Sequence, residues 1–213
     1  MKKFRFAILG AGHIARQFCD AVSRIDGCEV CAVASKSLAR AENFAKENGV
    51  ESYYDDYEML LEKERADCAY IAVTTNDHYR LSVLCINHSV PVLCEKAMFQ
   101  NSEEAKNLYA LASEKKIFVM EALWSRYLPA VRQAKRWVEQ EKIGTPTVLQ
   151  CNIGFVAPDD KENRYFDPKL GGGAAKDITV YAYEITTFIL NQAIKNISVS
   201  ATWSDTGVDV TNH

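Results

Sequence analysis

No apolar run in the 213-residue sequence approaches the roughly 18 residues that a membrane-crossing helix needs, and the short apolar stretch after Met1-Lys2-Lys3 cannot serve as a signal peptide. A soluble protein of the cytoplasm, without membrane contact, is expected. A basic excess is also missing. The 25 Lys and Arg face 28 Asp and Glu, for a net charge of −3 and a pI near 5.9, which excludes a polybasic nucleic-acid binder. Seven cysteines, at 19, 28, 31, 68, 85, 94 and 151, are odd in number and too dispersed for a secreted disulfide scaffold, so reduced thiols are expected. Cys28 and Cys31 form a C-x-x-C, but three residues apart on a strand they point to opposite faces. No second pair or spaced histidines accompany them, so no metal site is expected. What is present is an ordinary globular composition, 48% hydrophobic and 25% charged, at a length for one domain or one and a fraction.

Through the first 120 or so residues short β-like runs alternate with helical periodicity. Strands are predicted at 4–9, 29–34, 52–54, 68–73, 92–94 and 117–120, and helices at 14–25, 38–48, 57–63, 78–87 and 103–114. Ser37 and Gly49 are the expected caps of the second helix. Such alternation signals a doubly wound parallel sheet, with ligands bound beyond the carboxyl ends of its strands. Beyond Glu121 the pattern changes to a long helix at 126–140, a strand at 147–156, a loop at 157–173, a helix with apolar positions from Ile178 to Ile189, and a strand at 197–203. The fold class expected is therefore α/β, a Rossmann dinucleotide-binding domain over 1–121 followed by an incomplete α+β domain over 122–213.

Gly10-Ala11-Gly12-His13-Ile14-Ala15 fits G-x-G-x-x-A between the first strand and the first helix. The first glycine permits the tight turn, the second admits a pyrophosphate, and Ala15 lets helix and strand approach; the helix N-terminus favours the phosphate charge. Such a turn also serves merely to connect two elements, but its place after the first strand favours a dinucleotide. An NAD site usually adds a carboxylate about 20 residues on, at the tip of the second strand. Here that tip reads Ala34-Ser35-Lys36-Ser37, with Arg40 close behind. The two cations and the Ser35 hydroxyl suit a 2′-phosphate, and so NADP over NAD, unless Lys36 and Arg40 simply solvate a helix start. Two further polar clusters follow strands, Thr74-Thr75-Asn76-Asp77-His78 and Glu95-Lys96-Ala97.

These motifs, with GAGHIA at 10–15, AVASKS at 32–37, AYIAVTTNDH at 69–78, VLCEKA at 92–97, MEALWSRYLP at 120–129 and GGGAAKDITVYAYE at 171–184, cover essentially the whole chain. In their order and spacing the sequence resembles the glucose-fructose oxidoreductase and inositol dehydrogenase family, and within it the dihydrodiol and NADP-dependent D-xylose dehydrogenases. The resemblance implies that Lys96 is catalytic, as the lysine of the family's Glu-Lys-Pro motif. Ala97 stands at the usual cis-proline position, which leaves open a trans bond with Lys96 re-aimed or a cis bond held by its neighbours. It implies that Asp177 and Tyr181, four apart on one helix face, complete the set, with Thr179 in place of the usual glycine; periodicity alone would make Tyr181 a core residue. Trp124 and Arg126 are implied to cover the nicotinamide, though Trp124 suits interdomain packing equally well. Thr74, Thr75, Asn76, His78 and Glu95 are expected beside the cofactor with Gly10, Gly12, His13, Ile14, Ala15, Ser35, Lys36 and Arg40.

The expected function is an NADP(H)-dependent oxidoreductase that passes a hydride between nicotinamide and a sugar or vicinal diol. Tyr181 would exchange the hydroxyl proton, Lys96 would polarise the oxygen, and Asp177 would bind a substrate hydroxyl. Alternatives are an inositol or other sugar dehydrogenase of the same family, a non-catalytic NAD(P)-sensing binder, or an inactive truncated product. Retention of Lys96, Asp177 and Tyr181 speaks against a sensor. The resemblance also implies a full-length protein of roughly 320 to 340 residues that forms a homodimer through an open, mostly antiparallel sheet.

Overall fold

A computed structural model describes residues 2–158 and 160–213, which form two compact units, Met1–Ala122 and Leu123–His213. In the first unit the chain runs β1 (Phe4–Leu9), α1 (His13–Ser23), β2 (Cys28–Ala34), α2 (Leu38–Asn48), β3 (Ser52–Tyr54), α3 (Tyr57–Lys63), β4 (Cys68–Ile71), α4 (Thr75–Asn87), β5 (Val92–Cys94), α5 (Ser102–Lys115) and β6 (Val119–Glu121). All six strands are parallel, in the order β3-β2-β1-β4-β5-β6. The order reverses between β1 and β4, which opens a crevice at their carboxyl ends.

Side chains of β1 alternate between two cores, as the period of a strand requires. Ala7 and Leu9 join α3, α4 and α5 through Leu60, Leu81 and Leu108, while Ile8 joins α1 and α2 through Ala15, Cys19 and Phe44. Covered on both faces, the strands read as short continuous apolar runs. The Ser37 hydroxyl accepts from the Arg40 N–H, and Gly49 ends α2 at φ 67°, the two caps expected for that helix. Helix α4 begins at Thr75, three residues before its predicted start, so the cluster from Thr75 to His78 forms its first turn.

The second unit departs further from periodicity. The helix expected at 126–140 is divided, because Pro129 brings no N–H and holds Leu128 extended at ψ 128°. A 3₁₀ turn (Trp124–Tyr127) precedes α6 (Pro129–Glu139). Residues 147–156 form no strand: their alternation defines two faces, but no described segment pairs with them. A π-helical turn (Ala175–Thr179) leads into α7 (Val180–Leu190). The final expected strand shortens to β7 (Ala201–Trp203) and pairs antiparallel with β8 (Asp209–Asn212), an element the sequence reading left out. Gly173 is required where it stands. At φ 113°, an added Cβ would lie 2.4 Å from Asp209 Oδ1, and that carboxylate accepts from the Ala175 N–H that opens the π turn.

Candidate functional site

The glycine turn is wedged between two strand ends. The Gly10 N–H donates to Ala34 O at 2.8 Å, and at φ 113° a Cβ on Gly10 would sit 2.4 Å from Ala72 O. Gly12 differs, since its Cβ would meet nothing nearer than Ala72 O at 4.0 Å. Gly12 caps α1 with no side-chain bond, no acid occupies the first turn, and the Arg16 N–H returns to Gly12 O at 3.3 Å. The N–H groups of His13, Ile14 and Ala15, which precede that first internal bond, are thus available to an anion. His13 and Ile14 are exposed, while Ala15 is fully buried against β1. Nearby, Asn76 Oδ1 is buried with no hydrogen-bond partner among the described residues. An open cradle, free N–H groups and an orphaned acceptor all fit a dinucleotide.

Thr74 caps α4 without a side-chain bond. At the tip of β2, Ser35 is buried and its N–H donates to Tyr54 O at 3.1 Å, while Lys36 and Arg40 reach solvent. Lys36 Nζ lies 2.6 Å from Asp77 Oδ2, and Arg80 approaches Asp77 Oδ1 at 3.2 Å. Burial pushes the Asp77 carboxyl up, but Lys36 and Arg80 outweigh it and hold the group below the usual carboxylate range. A carboxylate is therefore present beside the β2 tip after all. It comes from α4, where its distance in sequence hid it.

Lys96–Ala97 is a cis peptide bond, the second of the two options the motif left open. Tyr70 donates its hydroxyl to Glu95 Oε1 at 2.6 Å, and the Lys96 N–H donates to Glu95 Oε2 at 3.3 Å. Burial pushes the Glu95 carboxyl up despite these bonds. His78, expected beside the cofactor, is 1% exposed, with Nδ1 2.9 Å from Ala97 O and Nε2 3.1 Å from Val73 O. The two ring nitrogens face backbone carbonyls, and a neutral ring donates its one N–H to one of them, so His78 braces the backbone around the Lys96–Ala97 bond. Burial pushes its pKa down, against the pull of the two carbonyls.

In the second unit, Trp124 donates its indole N–H to the Tyr181 hydroxyl at 2.8 Å, with ring centroids 5.8 Å apart. Asp177 receives Arg164 at 3.4 Å and lines a cavity of about 670 Å³ with Tyr165, Thr179, Asp209 and Asn212. Arg126, expected over the nicotinamide, is engaged within its own unit: its Nε lies 2.6 Å from Glu184 Oε1 and its guanidinium 5.3 Å from the Phe188 ring centre. Glu184, 3% exposed, also accepts the buried Ser125 hydroxyl. In the C-x-x-C, Cys31 is buried, and that burial pushes its thiol up to about 11.

Residues 4–123 match the model of an oxidoreductase family with an NAD-binding Rossmann fold, Gfo/Idh/MocA, and residues 131–213 match that family's C-terminal domain. The chain belongs to the Gfo/Idh/MocA family. Among its curated relatives, trans-1,2-dihydrobenzene-1,2-diol dehydrogenase of Mus musculus is 33% identical over 210 residues, 97% of this chain and 62% of the relative. The same-named protein of Danio rerio is 31% identical over 208 residues, again 62% of its length. The chain thus spans less than two thirds of the relatives it matches. An NAD-binding protein from Listeria innocua superposes with a TM-score of 0.78 at 25% identity, over 95% of this chain and 59% of that one. A probable dehydrogenase from Thermotoga maritima gives 0.84 at 20% identity, over 94% and 59%, which shows the shared fold. Two carboxylates that pair with expected site residues were not singled out from the sequence, Asp77 beside Lys36 and Glu184 beside Arg126. Glu184 had a signal: it is the only charged residue of α7.

Proposed function

We propose that this chain carries the nucleotide site and the proton-transfer residues of an NADP(H)-dependent oxidoreductase acting on a sugar or vicinal diol. The first unit is read as the nucleotide-binding domain, and the second as part of a substrate domain. The bond from Trp124 to Tyr181 is the observation that carries this reading. An indole N–H is a donor only, so the phenol oxygen accepts, which favours negative charge on that oxygen. A tyrosine that takes a proton from an alcohol does so as the phenolate, the form that a donor at this oxygen stabilises.

When bound, the nicotinamide supplies the hydride chemistry. The free N–H groups of α1 and the space above Gly12 would hold the pyrophosphate, and Lys36 and Arg40 the 2′-phosphate. Lys96 polarises the reacting hydroxyl oxygen, Tyr181 accepts its proton, and Asp177 holds a second hydroxyl. The names of the dihydrodiol dehydrogenase relatives support the diol. Cytoplasmic location and a homodimer of the longer protein belong to the same reading; among the described residues no helix is long and apolar enough to cross a membrane.

The test is a spectrophotometric screen of the full-length protein with NADP or NAD against pentoses, hexoses, inositols and cyclic diols. Tyr181→Phe should lower turnover by about 10²- to 10⁴-fold, the ordinary range for general acid–base catalysis, and leave nucleotide binding intact. Undiminished turnover would defeat the assignment.

A further inference from the structure

We infer that Asp77 is a cofactor-specificity residue: its carboxylate competes with a 2′-phosphate for Lys36 and so sets the ratio of NADP to NAD affinity. This rests on the cofactor reading above. Strand β1 lies between β2 and β4, Lys36 leaves β2, and Asp77 sits in the first turn after β4. Their 2.6 Å ion pair therefore ties together the two strand ends that flank the glycine turn. NAD sites commonly carry a carboxylate at the β2 tip as an acceptor for the ribose 2′-hydroxyl. Asp77 is placed for that role but is engaged otherwise. Oδ2 receives Lys36, and Oδ1 receives Arg80 Nε at 3.3 Å and the terminal guanidinium nitrogen at 3.2 Å.

The charges here do not cancel. Lys36 and Arg80 both pair with one carboxylate and leave a positive excess. A 2′-phosphate entering this group exchanges its oxygens for Asp77 at Lys36, and bears the repulsion of the displaced carboxylate. A nucleotide with a plain 2′-hydroxyl leaves the pair undisturbed. Asp77 thus discriminates against the very anion its cations attract.

The experiment is calorimetric titration of the full chain with adenosine 2′,5′-bisphosphate and with adenosine 5′-monophosphate, for wild type, Asp77→Asn and Lys36→Gln. No turnover is needed. Asp77→Asn should bind the bisphosphate roughly threefold to tenfold tighter, the effect of one charge at several ångströms in a largely solvated setting, and the monophosphate unchanged. Lys36→Gln should lose most of the preference for the bisphosphate. If wild type shows no such preference, the NADP reading fails and this inference with it. If wild type prefers the bisphosphate but Asp77→Asn leaves that preference unchanged, the role of Asp77 alone is overturned. Weaker monophosphate binding with no gain for the bisphosphate would likewise overturn it, and would make Asp77 the ribose acceptor.

Discussion

Gly10 and Gly12 stand two residues apart in one motif, yet the structure assigns them opposite burdens, and replacing each by alanine separates folding from binding. At Gly10 the new methyl would lie 2.4 Å from Ala72 O, 2.7 Å from Ala72 C and 2.9 Å from Val73 Cγ1, with the backbone at φ 113°. That conformation costs an L-residue about 1 to 3 kcal/mol, and relieving the overlap against β4 costs about 1 to 3 more. Gly10→Ala should therefore lose about 2 to 6 kcal/mol, or roughly 4 to 24 °C in Tm for a chain of this size. Gly12 is at φ −102°, ψ −173°, which alanine adopts freely, and its methyl would have Ala72 O at 4.0 Å as its nearest neighbour. Loss of a glycine N-cap and the gain from stiffening the unfolded chain are each about 0.5 to 1 kcal/mol and offset one another. Gly12→Ala should keep its Tm within about 2 °C while nucleotide affinity falls at least tenfold, because the methyl stands where the pyrophosphate belongs. Thermal unfolding by circular dichroism and titration with NADP are the assays. Equal Tm losses in the two variants, or full nucleotide binding by Gly12→Ala, would refute the division of roles.

Glu184→Leu leaves the buried Ser125 hydroxyl without its acceptor and Arg126 without its partner, so urea unfolding should show a loss of about 2 to 4 kcal/mol. Glu184→Gln retains an acceptor and should lose less than half as much; equal losses would show that shape matters there and hydrogen bonding does not. For Glu95, burial raises the folded pKa above its unfolded value, so its neutral form is favoured in the fold. That contribution is present below the unfolded pKa and is lost as pH rises through the raised folded value. Relative to Glu95→Gln, the wild type should therefore lose stability as pH rises above the ordinary carboxylate range. A pH-independent difference in urea midpoint would count against the burial of this carboxylate.

Nearly every element of the first unit was legible because its signals are local. The runs at 4–9, 38–48 and 57–63 carry their own periodicity, and Ser37 and Gly49 mark the ends of the second of them. The glycine turn is equally local. The second unit depends on partners: residues 147–156 alternate like a strand but have no neighbour to pair with, and Pro129 divides a pattern that apolar spacing alone reads as continuous. Charge was the least legible property. Lys36 meets Asp77 across 41 residues and Arg126 meets Glu184 across 58, so both cations looked available to a ligand when only one strand or helix was in view.

The same long-range logic explains how alanine stands at position 97. The segment around Lys96 is gripped through backbone atoms: Glu95 Oε2 receives the Lys96 N–H, His78 meets the Ala97 carbonyl, and Glu121 accepts the Met98 N–H at 2.8 Å. These three contacts come from β6, the first turn of α4 and the end of β5, and none involves the side chain of residue 97. The path of the segment is thus imposed by its neighbours, and a proline ring is not needed to hold it. The backbone that follows Lys96 is thus held by the His78 ring at the Ala97 carbonyl and by Glu121 at the Met98 N–H.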